Sequence, residues 1–299
     1  MISHAGSSLS SRSVLVRAVP TRLTPLIPSW LDAPARPVIH AEVGRYRLRL
    51  AQSVEDRDAA CRLRFRVFNI EMREGLASSF ETGLDTDHFD LFCEHLLVED
   101  KNEANPARRV IGTYRMQSGV TAALNLGYYS EQEFDLAPFE PMREGVLELG
   151  RASIHREHRT PEVLTLLWRG IAQYASHMGL RYLIGCSSLN SRHPVEGWQV
   201  YRQLDRYMVS PEMMTEPHGK YACPAQQTEL ATQHGQGAID SVSAVQIPRL
   251  LKTYLAIGAR ICAPPAWDRD FGTIDFLTLL DLKMLSAPAR NRFLAPLTA

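Results

Sequence analysis

The first regular pattern in the chain is an alternation of apolar and charged residues near residue 46. Tyr46, Leu48 and Leu50 alternate with two arginines, which predicts a strand with one buried face. Ser53 and Asp56 have the spacing of a capping box, so a helix is predicted to begin there. The apolar positions of that helix are Ala60, Leu63, Val67 and Phe68.

A strand, a helix and a second strand are predicted at the centre of the chain. The strand-like runs that precede the helix are His95–Glu99, Arg109–Gln117 and Val146–Ile154. The helix is predicted from Pro161 to about Met178, because Thr160 suits the N-cap, proline suits the first helical position and Gly179 suits the end. Another strand, Tyr182–Ser188, follows directly, which predicts a βαβ-like unit inside a mixed sheet.

Beyond about residue 190 the pattern is less regular, and the polar stretch from Gln226 to Gly237 is predicted to form a loop. Ile247–Ile257 predicts a helix that Gly258 ends, and Thr273–Leu282 predicts a strand or a short helix. We therefore predict one α/β domain over residues 43–299, with a mixed central sheet, flanking helices and a C-terminal extension from about residue 205. Residues 1–42 lack a sustained period and predict a flexible leader.

Charge and cysteine usage exclude several classes of protein. Lysine plus arginine equals aspartate plus glutamate at 33 each, so no overall field favours a nucleic-acid partner. The apolar runs are far shorter than the roughly 20 residues that cross a bilayer, and the N-terminus does not resemble a secretory signal. A cytoplasmic protein is expected. The five cysteines, predicted to be reduced structural thiols, are Cys61, Cys93, Cys186, Cys223 and Cys262.

The segment from Glu148 to Pro161 holds the most informative local pattern. A regular strand would point Glu148 and Arg151 to opposite faces, but Gly150 between them predicts a bulge that brings both charges to one face and splays the strand from its neighbour. The splay would expose backbone N–H groups, and the helix that starts at Thr160 would aim its N-terminal amides at the same place. This combination predicts an acyl-transfer site supplied by a phosphopantetheine thioester. A structural Glu–Arg ion pair is the alternative.

Ordered motifs across the chain resemble known families. The residues that match, in order, the motif residues of the acyl-homoserine-lactone synthases are Arg64, Phe68, Asp87, Asp90, Arg115, Glu148 and Arg151. The blocks LRFRVFNIEM, DHFDLFCEHLLVED, VIGTYRM, ELGRASIHREHR, LLWRGIAQY, LIGCSS and LLKTYLAIGARICAPPAWDRDFGTIDF resemble the bacterial ornithine-acyl-ACP N-acyltransferases of ornithine-lipid synthesis. The resemblance covers roughly residues 46–283 and implies a GNAT-like acyltransferase fold.

Two departures from related families narrow the implied function. The lactone synthases carry a tryptophan where this chain has Glu74, which disfavours lactone synthesis. The segment HRTPEV lacks the glycines of the pyrophosphate loop of acetyl-CoA-dependent GNAT enzymes. A carrier-protein thioester is therefore favoured as the acyl donor over acetyl-CoA.

The resemblance implies transfer of a 3-hydroxy fatty acyl group from acyl carrier protein to the α-amine of L-ornithine, which gives lyso-ornithine lipid in the first step of ornithine lipid biosynthesis. No cofactor is implied beyond the 4′-phosphopantetheine of the donor. The product is amphiphilic, so transient contact with the inner membrane is expected. Two alternatives stay open, namely an N-acyl amino acid or homoserine-lactone-type synthase with a different amine acceptor, and a non-catalytic relative that binds carrier protein or lipid.

The implied reaction assigns roles to charged residues. Glu148 is predicted to be the base, directly or through a water, and Arg151 to orient Glu148 or hold the substrate carboxylate. Arg115 is a second candidate for that carboxylate, and for both arginines a salt bridge to the acidic loop is the alternative. The remaining predicted substrate contacts are Arg64, Phe68, Asp85, Asp87 and Asp90. The aspartates are predicted either to receive the δ-ammonium of ornithine or, as the favoured alternative, to pin Arg64 and Arg115. No enzyme nucleophile is required.

A basic rim follows the Glu148 strand. The residues predicted to bind the carrier protein or its phosphopantetheine are Arg156, His158, Arg159 and Thr160. Acyl carrier proteins are acidic, so such a rim would steer docking through charge, and a solvated face is the alternative. No metal is predicted, because the pair His155 and His158 lacks a third zinc ligand and the acidic loop lacks the spacing of a calcium site.

Overall fold

The structure, a computed structural model, describes residues 36–224 and 245–294. Residues 1–35 of the predicted leader and the predicted loop from Gln226 to Gly237 lie outside the described residues. The strands of the described part are β1 (His40–Val43), β2 (Tyr46–Leu50), β3 (Glu94–Asp100), β4 (Val110–Ser118), β5 (Val146–Ile154), β6 (Tyr182–Leu189), β7 (Arg260–Ile261), β8 (Ala266–Asp268) and β9 (Thr273–Asp281). The α-helices are α1 (Val54–Phe65), α2 (Ser79–Thr82), α3 (Pro106–Arg109), α4 (Gly119–Leu124), α5 (Pro161–His177), α6 (Pro194–Arg202), α7 (Arg249–Ile257) and α8 (Ala287–Phe293).

One mixed sheet organises the chain from residue 37 onward. The strand order is β1-β2-β3-β4-β5-β6-β9-β7, with β8 paired to β9. The β5–β6 pair is parallel and every other pair is antiparallel. Because β5, α5 and β6 follow one another, the predicted βαβ unit is confirmed. The sheet begins at His40, three residues before the domain boundary placed at residue 43.

Local sequence signals determine where the helices begin and end. The Ser53 side chain accepts a hydrogen bond from the Asp56 backbone at the start of α1, and Thr160 accepts one from Val163 at the start of α5. Gly258 ends α7 in the left-handed conformation. The predicted first helix continues beyond Phe65 as a π-helical segment, Arg66–Met72, which periodicity alone did not distinguish from α-helix.

The two faces of the sheet have different chemistry. One face carries Leu147, Leu183 and Leu280 and is covered by α5, whose Val163 and Leu167 belong to the same apolar core. Side chains alternate along each strand, so the neighbours of those leucines point to the opposite face. That face carries Arg115, Glu148, Cys186 and Asp275 along four successive strands. The polar site therefore lies on the face opposite the α5 core, beside a second apolar cluster that includes Ile184 and Leu277.

The C-terminal extension contributes a strand that is paired on both sides. Residues 273–282 were predicted as a strand or a short helix, and β9 resolves this choice because it pairs with β6 over eight residue pairs, from Tyr182↔Asp281 to Leu189↔Ile274. Of the helices in the described ranges, none is both long and apolar enough to span a bilayer.

The strands β5 and β6 approach closely and then separate. Their ladder covers only Val146–Glu148 on β5, and a Cβ atom placed on Gly185 of β6 would lie 2.2 Å from the Leu149 carbonyl oxygen. Beyond this point β5 continues beside β4 and β6 continues beside β9. A residue without a side chain is therefore needed where the two strands begin to diverge.

We predict that Gly185→Ala lowers the free energy of unfolding by about 1–3 kcal/mol, since the added methyl must push the β5 backbone away. Urea denaturation measures this. Gly150→Ala is the matched control because a Cβ there meets no heavy atom within 4 Å. Its unfolding free energy should stay within about 0.5 kcal/mol of the parent. Equal effects of the two substitutions would refute the close approach.

Candidate active site

The strand β5 is irregular where Glu148 and Arg151 lie. Thr113 of β4 pairs with Ser153 and Arg115 pairs with Gly150, so β5 carries one residue more than β4 over this stretch. The predicted bulge is thus confirmed. The strained backbone of this bulge belongs to Arg151, with φ of 51°. A non-glycine residue in the left-handed region costs about 1–2 kcal/mol, so the contacts of Arg151 must hold it there.

Glu148 and Arg151 face the same segment but do not pair with each other. Glu148 accepts hydrogen bonds from the backbone of Tyr129 and Ser130, whereas Arg151 donates to the Tyr129 hydroxyl at 3.1 Å and to Asp87. Among the described ion pairs, those of Arg151 are with Asp85 and Asp87. The alternative of a simple Glu148–Arg151 ion pair is therefore wrong.

Three donors hold the Glu148 carboxylate. Oε2 accepts from Tyr129 N at 2.8 Å, and Oε1 accepts from Ser130 N at 2.8 Å and from Ser130 Oγ at 2.7 Å. Burial raises the pKa of Glu148, and these hydrogen bonds oppose the rise without cancelling it. A carboxylate has about four lone-pair positions, so one further donor can bind, on Oε2.

A buried network of three arginines and three aspartates lies beside Glu148. Arg64 is fully buried and binds Asp85 through Nε at 2.7 Å and Asp90 through Nη1 and Nη2 at 2.7 and 2.8 Å. Arg115 binds Asp87 at 2.7 Å and Asp90 at 3.2 Å. Burial opposes ionisation of Asp90, but the hydrogen bonds and charges of Arg64 and Arg115 hold its pKa well below the usual range. The aspartates therefore pin the arginines, as the favoured alternative predicted.

Aromatic rings complete this network. The guanidinium carbons of Arg115 and Arg151 lie 4.9 and 4.7 Å from the centre of the Tyr129 ring, and Arg151 also lies 4.4 Å from the centre of the Phe271 ring. Phe68 packs edge to face on Phe271, with 5.7 Å between ring centres. The two predicted catalytic residues and the six predicted substrate contacts are thus brought to one place.

Of the four residues of the predicted basic rim, one lines a cleft and three have other partners in the structure. Arg156 lines a cleft of about 780 Å³ together with Arg66, Arg73 and Arg108. The other three members have partners elsewhere: His158 bonds to the Tyr46 hydroxyl, Arg159 to Glu71 and to the Ile154 carbonyl, and the Thr160 hydroxyl caps α5. Only Arg156 of the four lines this cleft. Three further arginines, Arg66, Arg73 and Arg108, lie beside it. The sequence did not single them out, because they are far from Arg156 along the chain.

A second acidic cluster, not identified from sequence, lies on the same face of the sheet. One carboxylate oxygen each of Glu133, Asp268 and Asp275 lies within 4.8 Å of the other two. All three residues are buried, and Glu74 lies close enough to interact with the charge of Asp275. The only sequence signals were the unusual Glu74 and the acidic residues of the C-terminal block DRDFGTIDF.

We predict that Arg64→Met lowers the free energy of unfolding by about 3–5 kcal/mol, because Asp85 and Asp90 then remain buried without their counter-charge. Chemical denaturation at neutral pH measures the loss. Lys101→Met is the control, since Lys101 and its partner Glu42 are both well exposed and such pairs contribute at most about 1 kcal/mol. A loss for Arg64→Met no larger than the control's would refute a dominant role for the buried network.

Comparison with known proteins assigns the family. The model of the acetyltransferase (GNAT) domain matches residues 63–169, which include the end of α1, β3–β5 and the first half of α5. Similar solved structures include the acyl-homoserine-lactone synthase LasI, with 9% identity, a TM-score of 0.44 and coverage of 86% of this chain and 98% of LasI. Another is FeeM, an N-acyl amino acid synthase from uncultured soil microbes, with 12% identity, a TM-score of 0.46 and coverage of 83% and 98%.

Among curated relatives, the L-ornithine N(alpha)-acyltransferase of Brucella abortus is 31% identical over 84% of this chain and 89% of its own length. The enzyme of the same name from Agrobacterium fabrum is 29% identical over 83% and 85%. This identity extends over most of both chains and includes the GNAT region. The chain is therefore an acyltransferase with a GNAT-like fold and belongs to the L-ornithine N(alpha)-acyltransferase family.

Proposed function

We propose that this acyltransferase moves a 3-hydroxy fatty acyl group from acyl carrier protein to the α-amine of L-ornithine and so forms lyso-ornithine lipid. The names of its relatives support ornithine as the acceptor. The observation that carries the proposal is the position of Glu148, a buried carboxylate with one free acceptor position, at the point where β5 and β6 separate. A reacting amine and an extended thioester can meet there.

The chemistry requires a proton acceptor and a means to orient the acceptor amino acid. Glu148 accepts a proton from the α-ammonium, directly or through a water, and burial suits it to this role because its pKa is raised. The free amine then attacks the thioester carbon, a C–N bond forms and the C–S bond breaks. The second amine proton passes to the carrier thiolate. Atoms and charges balance without a covalent enzyme intermediate.

Arg151 is positioned to hold the α-carboxylate of the acceptor. Its described hydrogen bonds use Nη2, toward Asp87 and Tyr129, while Nε lies 3.4 Å from an Asp85 carboxylate oxygen without a hydrogen bond, so Nη1 is the nitrogen with no described contact. The backbone groups of β5 beyond Glu148 face the gap left by β6, where they supply donors to the thioester carbonyl oxygen. Cys186 is not the nucleophile, since burial and the nearby acidic charges raise its pKa and keep it a thiol.

The cleft of Arg66, Arg73, Arg108 and Arg156 is the proposed carrier-binding surface. Four arginines line it with three glutamates, and Arg159 already neutralises one of these, Glu71. The excess of positive charge suits an acidic carrier protein and the phosphate of its prosthetic arm. The cleft lies at the end of β5, next to His155, so a bound arm can enter the gap beside the strand.

We predict that Glu148→Gln lowers kcat for amide formation by about 10²–10⁴-fold, because the base is lost. Amide product is measured by mass spectrometry with acyl carrier protein and ornithine. Binding of the acyl carrier protein should be unchanged. Ser130→Ala is the companion variant, since it removes one hydrogen bond to Glu148 and keeps the carboxylate. We expect it to retain most of the activity.

A purely structural Glu148 would behave differently. In that case Glu148→Gln would lower the melting temperature, and the activity of the folded fraction would equal that of the parent. This result would remove Glu148 as the base, while an amide product from the parent enzyme would still support the proposed reaction.

We predict that Arg156→Glu raises KM for the acyl carrier protein by about tenfold at low salt and weakens the salt dependence of that KM, with KM for ornithine unchanged. Steady-state kinetics at several salt concentrations measure this. Arg206→Glu is the matched control, because Arg206 is exposed and does not line the cleft. If the two charge reversals had equal effects on KM, the carrier protein would not bind at the cleft.

A further inference from the structure

The acidic cluster of Glu133, Asp268 and Asp275 is assembled from distant parts of the chain. Glu133 follows the short helical turn that supplies Tyr129 and Ser130, Asp268 ends β8 and Asp275 lies in β9. The three residues are only 2%, 8% and 5% exposed. Three carboxyl groups buried this close together destabilise one another unless a cation or protons compensate their charge.

Several buried polar atoms around the cluster have no hydrogen-bond partner among residues 36–224 and 245–294. They are Glu74 Oε1, Glu133 Oε2, Thr273 Oγ1 and Asp275 Oδ1. Thr273 is 1% exposed, stands opposite Asp268 in the β8–β9 ladder, and lies two residues from Asp275 on the same face of β9. Its hydroxyl therefore points into the cluster. A buried, unsatisfied hydroxyl beside unsatisfied carboxylates indicates a place for a ligand that donates hydrogen bonds.

Burial and the mutual repulsion of the carboxylates raise the pKa values within the cluster. Burial and the charges of Asp275 and Asp268 raise the pKa of Glu133 well above its usual range, and burial with the charge of Asp268 raises that of Asp275 to about 6. Burial and Asp275 raise the pKa of Glu74 to about 7. Arg151 is the nearby cation that opposes the rise at Glu133, and it already serves Asp85 and Asp87.

The cluster is continuous with the proposed reaction centre. Ser130 Oγ, which donates to Glu148, accepts a hydrogen bond from Cys186 Sγ at 3.6 Å. In β6, Cys186 lies between the residue paired with Glu148 and the residue paired with Asp275, and the three side chains share one face. A small molecule that reaches from Glu148 past Cys186 therefore meets the cluster.

The geometry suits a primary ammonium group. An ammonium has three N–H donors, and three oxygens within 4.8 Å of one another are close enough for one nitrogen to reach all of them at about 2.8 Å, the usual length of an ammonium–carboxylate hydrogen bond. The aspartates of the first network are poorer candidates for this role. Asp85, Asp87 and Asp90 each already bind arginine.

We propose that Glu133, Asp268 and Asp275 form the pocket that binds the side-chain ammonium of the acceptor amino acid, with Thr273 and Glu74 at its edge, and that this pocket selects a basic acceptor. The inference rests on the proposed function, because it concerns the acceptor of the same acyl transfer. It moves the ammonium-binding role from the acidic loop, where the sequence had left it open, to a cluster on β8 and β9.

The test compares ornithine with norvaline, which has the same carbon chain and no δ-amine. The parent enzyme should prefer ornithine in kcat/KM by about a hundredfold or more, since norvaline leaves the buried carboxylates unpaired. Glu133→Gln and Asp275→Asn should each lower kcat/KM for ornithine by about tenfold or more and leave that for norvaline unchanged or higher. Asp270→Asn, at an exposed carboxylate two residues from Asp268, is the matched control and should match the parent.

Thermal stability separates recognition from structure and needs no acyl donor. Without ligand, both variants should melt at or above the parent temperature, because each removes a buried carboxylate that repels its neighbours. Ornithine at millimolar concentration should raise the melting temperature of the parent, and norvaline should not. The shift with ornithine should be smaller in both variants.

Specific results would overturn the pocket. Variants that keep the ornithine preference of the parent, or that lose activity on both acceptors equally, would refute it while the proposed function stood. Loss of parent activity with a chelator, restored by Mg²⁺ or Ca²⁺, would assign the cluster to a metal ion instead. Amide formation on lysine in place of ornithine would change the proposed acceptor but would still support the ammonium-binding pocket. Amide formation on neutral amino acids alone would refute both the proposed acceptor and the pocket.

Discussion

The structure depends on the buried contact of Arg64 with Asp85 and Asp90. This contact joins α1 to the acidic loop, and Arg115 and Arg151 extend it to β4 and to the bulge of β5. Charges removed from water are tolerated only when each has partners in good geometry, so the six residues form one unit. The same contacts hold Arg151 in a left-handed conformation that an isolated strand would not adopt.

The network has a chemical consequence on its face of the sheet. Its three aspartates each bind arginine, which makes them poorer partners for a substrate ammonium. Glu148 lies apart from these pairs and is bound by neutral donors, and the hydrogen bonds from the described residues leave one of its acceptor positions open. Glu133, Asp268 and Asp275 lack such compensation among the described residues. In the proposed mechanism this face supplies a base, a cation for the α-carboxylate and an acidic pocket for the side-chain ammonium of the acceptor amino acid.

Much of the fold follows from local sequence. The strand at Tyr46, the caps at Ser53 and Thr160 and the β5–α5–β6 unit were predicted because each depends on nearby residues. The π-helical segment after Phe65 was missed because its apolar spacing is close to that of an α-helix. The bulge was predicted from Gly150, but the left-handed backbone of Arg151 was not, since the contacts that hold Arg151 come from residues distant in sequence, among them Asp85, Asp87 and Tyr129. The motif residues were found through family resemblance, whereas Glu133, Asp268 and Asp275 meet only through the tertiary fold.

The most direct test of the proposed function is product analysis by mass spectrometry. The purified protein would be incubated with 3-hydroxyacyl carrier protein and an equimolar mixture of the proteinogenic amino acids plus ornithine. The account predicts one new amide, on ornithine, with fragmentation that places the acyl group on the α-nitrogen. Amide on a neutral amino acid, or acylation of the δ-nitrogen of ornithine, would contradict it.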